Sequence, residues 1–275
     1  MSPVPDDPES DLAAVVSAVS ASRKYHTLCP DTLRRVAAQE LPKHKSLKAA
    51  IKATKRRLHQ VYAAFETDVD YGELYQKLQA AREAGNGSDF RAACRDGLAQ
   101  HSSTRERLPI LDAFYAQIWQ RTGQPTSVLD LGCGLNPLAL AWVGLPENAP
   151  YIPLDIDAER VRFLNRYLLL VGRPPLARCQ DLLIEPPEEK ADVALLLKTA
   201  ASLERQAEGA TVQLIEHLRA SFVVVSFAVQ SLTGREKGMV AHYREQFASW
   251  IADRPWPVEE LLLETELVFI VRPAD

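Results

Sequence analysis

The sequence predicts an α/β fold: a Rossmann-like, mostly parallel seven-stranded sheet closed by an antiparallel C-terminal hairpin strand, preceded by a helical domain. Three observations predict it. From Ser127 onward, short apolar runs alternate with amphipathic stretches, the pattern of strands covered by helices on both faces. At the end of the chain two strand-like runs, 258–264 and 267–272, are separated by almost nothing, so they pair as a hairpin. Between Leu12 and about Leu111 no stretch has the character of a strand.

The first eleven residues are acidic and rich in Pro and Ser, with no basic or apolar segment of a secretory signal. Residues 1–20 are therefore expected to form a disordered lead, 21–105 a basic helical domain and 106–275 the sheet domain. Asp31, after Cys29-Pro30, marks an N-cap region, and Ser46 is a cap for the next helix. There Leu47, Ile51, Thr54, Leu58, Val61, Tyr62 and Phe65 recur at helical spacing, while Lys45, Lys48, Lys52, Lys55 and Arg56 occupy another face. Gly85-Asn86-Gly87-Ser88 is a turn, and 90–98 a short helix.

Charge is unevenly placed. The chain is net −4, yet eleven cations lie between Arg23 and Arg57 against only Asp31 and Glu40, a local balance of +9. A concentrated basic segment in an acidic chain points to a polyanionic partner. No apolar run is long enough to cross a bilayer. The four cysteines form no CxxC pair, so no metal site is expected, and a reducing cytoplasm is the simplest setting.

In the second half the strands are expected at 127–131, 150–155, 176–179, 192–197, 222–227 and in the two hairpin runs, with helices over 158–171 and 203–219. Candidate site residues collect at strand ends, where open α/β sheets bind ligands. Asp130-Leu131-Gly132-Cys133-Gly134 has D-x-G-x-G form, its glycines allowing a tight turn and close approach of backbone to ligand. Asp155 ends the second strand, where a carboxylate can accept from ribose hydroxyls. Gln180-Asp181 ends the third, placed to read an adenine amino group, and Lys198 ends the fourth. A dinucleotide is the main rival, but Pro137 stands where G-x-G-x-x-G needs its third glycine. With the antiparallel tail strand, these features indicate a class I S-adenosylmethionine-dependent methyltransferase, with S-adenosylhomocysteine as product.

Several segments then resemble one family: Ser22-Arg23-Lys24-Tyr25 with Leu28-Cys29-Pro30-Asp31-Thr32, the run His101 to Leu108, the run Leu129 to Leu140, and the run Ser231 to Met239. In this order they resemble the 16S rRNA (guanine(1405)-N(7))-methyltransferases, which give bacteria aminoglycoside resistance. The resemblance implies methyl transfer to a guanine N7 in the decoding A-site of 16S rRNA within the 30S subunit, by a cytoplasmic monomer. It implies that Asp130, Gly132, Cys133 and Gly134, with Arg107, hold the methionine part of the donor. Asp155 with Ile156 would hold the ribose, and Gln180, Asp181 and Leu182 would sit at the adenine, with Lys198 beside the cleft. Arg23, Lys24, Arg34, Arg35, Lys48, Lys52, Lys55 and Arg56 would dock on the subunit, while Ser231, Arg235, Lys237 and Met239 grip RNA beside the target base. The chain departs from the family's usual pattern at Ala201 and Ala228, where proline is typical, and at Gln230, where a cation is typical. A divergent relative with another target nucleotide or weak activity, a small-molecule methyltransferase and a non-catalytic ribosome-binding protein are the alternative readings.

Guanine N7 carries an in-plane lone pair and no proton, so no general base is expected. Cys133 as a nucleophile would suit carbon methylation of pyrimidines instead. His101 and His242 read as structural or RNA-facing.

Overall fold

The computed structural model describes residues 8–63, 69–229 and 237–273. Three helices come first: α1 (Pro8–Ser20), α2 (Pro30–Glu40) and α3 (Leu47–Leu58), the last running into a π-helical turn at His59–Ala63. The disordered lead expected through residue 20 is corrected here. Leu12, Val15 and Val19 recur at three- and four-residue steps and are buried against Leu33, Val36, Ala50 and Leu58. Each such side chain contributes about 2 kcal/mol by leaving water, enough to order a helix that propensity alone would not hold. A charge at Val15 would break this layer.

Helix α2 begins on Pro30, which tolerates the first turn because its missing N–H has no intrahelical partner there. Its N-cap is Cys29, without a side-chain bond, so Asp31 is a first-turn acid, not the cap. Ser46 caps α3 as expected, its Oγ accepting from Ala49 N at 3.3 Å. The buried stripe of α3 is Ala50, Ala53, Thr54 and Leu58, whereas Leu47 is 37% exposed.

The next helices are α4 (Tyr71–Glu83), α5 (Gly87–Leu98), α6 (Ser102–Arg105) and α7 (Leu111–Thr122). Asp70 and Asn86 cap α4 and α5 by accepting from Glu73 N and Ser88 N. Leu74, Leu78, Phe90, Cys94 and Leu98 pack in one cluster with Val128, Leu195 and Val224 of the sheet. The expected 21–105 unit is thus divided: α1–α3 have their own small core, and α4 and α5 belong to the sheet's.

The remaining elements are β1 (Val128–Leu131), α8 (Leu140–Val143), β2 (Tyr151–Asp155), α9 (Ala158–Leu170), β3 (Arg178–Cys179), β4 (Lys190–Leu197), α10 (Ala200–Gln206), α11 (Ala210–His217), β5 (Arg219–Ala228), α12 (Lys237–Trp250), β6 (Val258–Leu262) and β7 (Glu266–Val271). The helix expected over 203–219 is two helices, broken at Gly209 with φ +76°. Sheet order is β3-β2-β1-β4-β5-β7-β6, with β7 antiparallel to both neighbours and the other pairings parallel. Along β4, Val193, Leu195 and Leu197 face one core while Ala194 and Leu196 face the other, the two-residue period of a sheet buried on both sides. The order reverses between β1 and β4, so the loops after these strands part and leave a crevice.

Candidate donor site

The loop after β1 is held open by backbone conformation. Gly132 and Gly134 have φ of +65° and +53°, values that L side chains rarely adopt. A Cβ on Gly132 would stand 2.7 Å from Thr199 Cγ2, and one on Gly134 would stand 3.1 Å from His101 Cε1. The two glycines therefore keep room along one wall of a cleft that opens to solvent.

Eight of the eleven expected donor residues line this cleft: Gly132, Gly134, Asp155, Ile156, Gln180, Asp181, Leu182 and Lys198. Asp155 is buried and fixed. Its Oδ2 accepts from Gly134 N at 2.9 Å, and its Oδ1 from Asp157 N at 3.0 Å and from Arg160 Nη1 at 2.9 Å. A carboxylate has about four acceptor positions, so one on Oδ2 stays open toward a hydroxyl. Gln180 gives its amide N–H to Glu185 O at 2.6 Å. Asp181 accepts from Thr32 Oγ1 at 2.8 Å and from Leu183 N at 2.9 Å.

Arg107, Asp130 and Cys133 are not among the lining residues; they lie buried behind it. Asp130 accepts from Asn136 Nδ2 at 2.8 Å and from the Tyr151 hydroxyl. Burial pushes its carboxyl up to about 6 despite those bonds. Asn136 Oδ1 in turn accepts from Arg107 Nη1 and Tyr115 Oη, each at 2.7 Å. Arg107 also gives Nε to Glu266 Oε1 at 2.7 Å and Nη2 to Oε2 at 3.2 Å. Placed so, Arg107 braces the glycine loop through Asn136. The Cys133 thiol is pushed well up by burial, which removes thiolate character and disfavours a nucleophilic role.

Lys198 is the surprise at the fourth strand end. Its φ is +60°, the one positive value at a non-glycine among the described residues, a strained backbone held in place by its contacts. Its Nζ reaches Ser103 O at 2.8 Å, Glu106 Oε2 at 2.9 Å and Glu266 Oε1 at 3.2 Å. It is a buried tie between α6 and β7 rather than a solvated strand end. Burial alone would raise the Glu266 carboxyl, but Arg107 and then Lys198 hold it below its ordinary range.

Sequence reasoning missed Arg160 and Tyr62 in the cleft wall and Glu266 beside it, and it did not place His101, read as structural or RNA-facing, in that wall. Burial, then the nearby Arg160, lowers His101 to about 3, so it lines the cleft as a neutral ring, bonded to Ser103 Oγ at 2.9 Å. Glu266 had a signal available: it is a carboxylate opening the apolar run Leu267 to Val271.

On the outer face, Arg23, Lys24, Arg34, Lys48, Lys52 and Arg56 are exposed and Lys55 is half-buried. Arg35 is corrected: it turns inward, lines the cleft and lies 2.8 Å from Asp181 Oδ2. Ser231, Arg235 and Gln230 lie outside the described residues, as does the side chain of Lys237; Met239 is half-buried in the first turn of α12. Ala201 sits in the first turn of α10, where the family's proline would also be tolerated, and Ala228 pairs with Glu266 across β5 and β7. Among the described residues no group of acidic, His and Cys side chains could hold a metal ion.

The chain can be set beside known proteins. A family model described as ribosomal RNA methyltransferase (FmrO) matches residues 21–270. The chain is 37% identical over 268 residues to a 16S rRNA (guanine(1405)-N(7))-methyltransferase of Micromonospora echinospora, covering 96% of this chain and 98% of that relative. It is 39% identical over 268 residues to a protein of the same name from Frankia casuarinae, covering 96% and 94%. Among solved structures, the 16S rRNA methyltransferase RmtF in complex with S-adenosyl-L-homocysteine has a TM-score of 0.81 at 34% identity, covering 96% and 98%. With the glycine loop, the Asp155 strand end and the antiparallel hairpin in place and these matches along nearly its whole length, this chain belongs to the FmrO family of ribosomal RNA methyltransferases.

Proposed function

We propose that this chain transfers the methyl group of S-adenosylmethionine to N7 of a guanine in the decoding A-site of 16S rRNA within the 30S subunit, giving aminoglycoside resistance. The observation that carries the proposal is one juxtaposition: the cleft at the sheet's switch point, lined by the glycine loop and Asp155, shares its wall with the helical layer whose outer face is cationic. A small-molecule methyltransferase has no use for that layer.

The cleft fits the donor. The glycine loop leaves a cradle that a Cβ would fill, Asp155 offers a remaining acceptor to a ribose hydroxyl, and Asp181 and Gln180 stand at the end of β3 for the adenine. The donor supplies an electrophilic methyl on a sulfonium centre. The chain's part is positional: it orients the donor, keeps water out, and presents the base so that N7, methyl and sulfur fall in line. A stacked guanine has to be extruded or presented by distorted RNA, and the basic face supplies salt-sensitive attraction to phosphates. The four cysteines are free, which supports a reducing cytoplasm as the setting; the chain is proposed to act there as a monomer.

Borohydride reduction and aniline cleavage of treated 30S subunits, followed by primer extension on 16S rRNA, tests the reading. A stop at the decoding-site guanine is expected. Stops confined to other positions would replace the target, and the absence of any stop with active donor binding would overturn the reaction.

A further inference from the structure

The segment entering α2 is registered against the donor site by backbone bonds. Cys29 N donates to Ile156 O at 2.7 Å and Ala158 N donates to Thr27 O at 2.8 Å, while Leu28 bridges Asp157. Thr27 Oγ1 and the Tyr62 hydroxyl both donate to Asp157, the N-cap of α9. One turn into α2, Thr32 and Arg35 therefore face the end of β3 from a fixed direction. Thr32 Oγ1 donates to Asp181 Oδ2 at 2.8 Å. Arg35 Nε donates to the same oxygen at 2.9 Å, and its Nη2 donates to Gln206 Oε1 at 2.8 Å. The pair is shielded, with side-chain exposures of 13% for Arg35 and 3% for Asp181. A second arginine makes a similar inward turn: Arg57 Nη2 donates to Arg205 O at 2.7 Å, seating α3 on α10.

We propose that Arg35, carried on the basic helical layer, is a specificity-determining positioning residue of the donor site: with Thr32 it locks the Asp181 carboxylate so that it reads the 6-amino group of adenine. The inference rests on the assignment of Asp181 to the adenine. Its physical basis is acceptor accounting. Oδ2 is taken by Thr32 and Arg35, and Oδ1 accepts one bond from Leu183 N, so one acceptor position remains on Oδ1, in a residue lining the cleft. A carboxylate oxygen fixed in this way welcomes an amino group and repels a keto oxygen in its place. Arg35, tied to both Asp181 Oδ2 and Gln206 Oε1, is what holds that carboxylate in one orientation. Its Nη1 is also buried with no partner among the described residues, a donor left over in a residue of the cleft wall, available to a ring nitrogen of the ligand.

Calorimetry with S-adenosylhomocysteine and its deaminated analogue S-inosylhomocysteine tests this on the full chain, with 30S affinity measured in parallel. Arg35→Met is expected to weaken S-adenosylhomocysteine about tenfold, to narrow the preference for the adenosyl over the inosyl compound by a similar factor, and to leave 30S affinity within about twofold. Thr32→Val, which removes one bond at nearly constant volume, is expected to act in the same direction more weakly, and Arg35→Lys to recover part of the preference. These two also serve should Arg35→Met not fold. Equal loss for both compounds would reduce Arg35 to a structural prop and overturn the proposal, as would unchanged affinity in all three variants. Asp181→Asn separates the levels: if it leaves donor affinity untouched, the adenine assignment fails; if it weakens the donor while the Arg35 variants do not, only the present inference fails.

Discussion

Asp155 and Arg160 form a buried ion pair, Oδ1 to Nη1 2.9 Å, on the wall of the donor cleft. The same carboxylate binds Gly134 N across the mouth of the glycine loop, so one side chain joins β1, β2 and α9. Removing the arginine leaves a buried carboxylate short of its charge partner, a change that costs about 3–5 kcal/mol. Arg160→Met is expected to lower stability on that scale in urea titration and to weaken the donor, whereas Asp155→Asn is expected to weaken the donor more than it lowers stability. Donor affinity unchanged in Asp155→Asn would remove the ribose role.

Glu266 is predicted to be structural and pH-active. It is fully buried between Arg107 and Lys198, and its folded pKa lies below the ordinary value, near 4.3 for an unfolded chain. A depressed carboxylate adds stability that is present above its unfolded pKa and lost as pH falls through the folded one. Glu266→Gln is therefore expected to be less stable than the parent at pH 7, with the gap closing as both are acidified below about pH 4. A gap that stayed constant across denaturation midpoints at pH 7, 4 and 3 would show that folding does not depress the Glu266 carboxyl.

Asp130 has the opposite sign. Its folded pKa is raised to about 6 by burial, so between about pH 4 and about pH 6 the folded state binds the extra proton and stability declines as pH rises. Asp130→Asn keeps an acceptor for Asn136 and Tyr151 while removing the charge. Its stability relative to the parent is expected to rise across that window by about 2–3 kcal/mol and to stay level above it. A flat difference from pH 4 to 8 in urea titrations would show that the Asp130 charge is not penalised.

The glycine loop makes a steric prediction. Gly132→Ala meets Thr199 at 2.7 Å and is held at φ +65°. A left-handed conformation costs about 1–2 kcal/mol for a residue with a Cβ, and the clash adds to it. The variant is expected to lose donor binding by calorimetry, and full affinity would mean that the donor does not lie along this loop.

The cationic face makes an electrostatic one. Reversing Lys48, Lys52 and Lys55 to Glu is expected to abolish 30S binding at physiological salt while donor binding stays intact. The slope of affinity against salt should already flatten by about 0.7–0.9 for each phosphate contact removed. Unchanged 30S affinity would sink the docking role of α3.

Residue order alone determined the sheet, the glycine loop, the strand-end acids and the hairpin, because strand period, turn chemistry and the carboxyl-end rule are local or topological. It also located the basic segment, since charge density needs no fold to be seen. Tertiary structure decided which cations face outward. Arg34 and Arg35 are adjacent, yet one is exposed and the other meets Asp181, 146 positions away. Arg107 likewise finds Glu266 at a separation of 159, and the first helix is ordered by a core built from α2 and α3. Such pairings follow from how layers stack, and no period within a segment encodes them. For the same reason the loop after β1 is legible from its glycines, while the inward turn of Arg35 from the basic helix α2 toward the cleft is not.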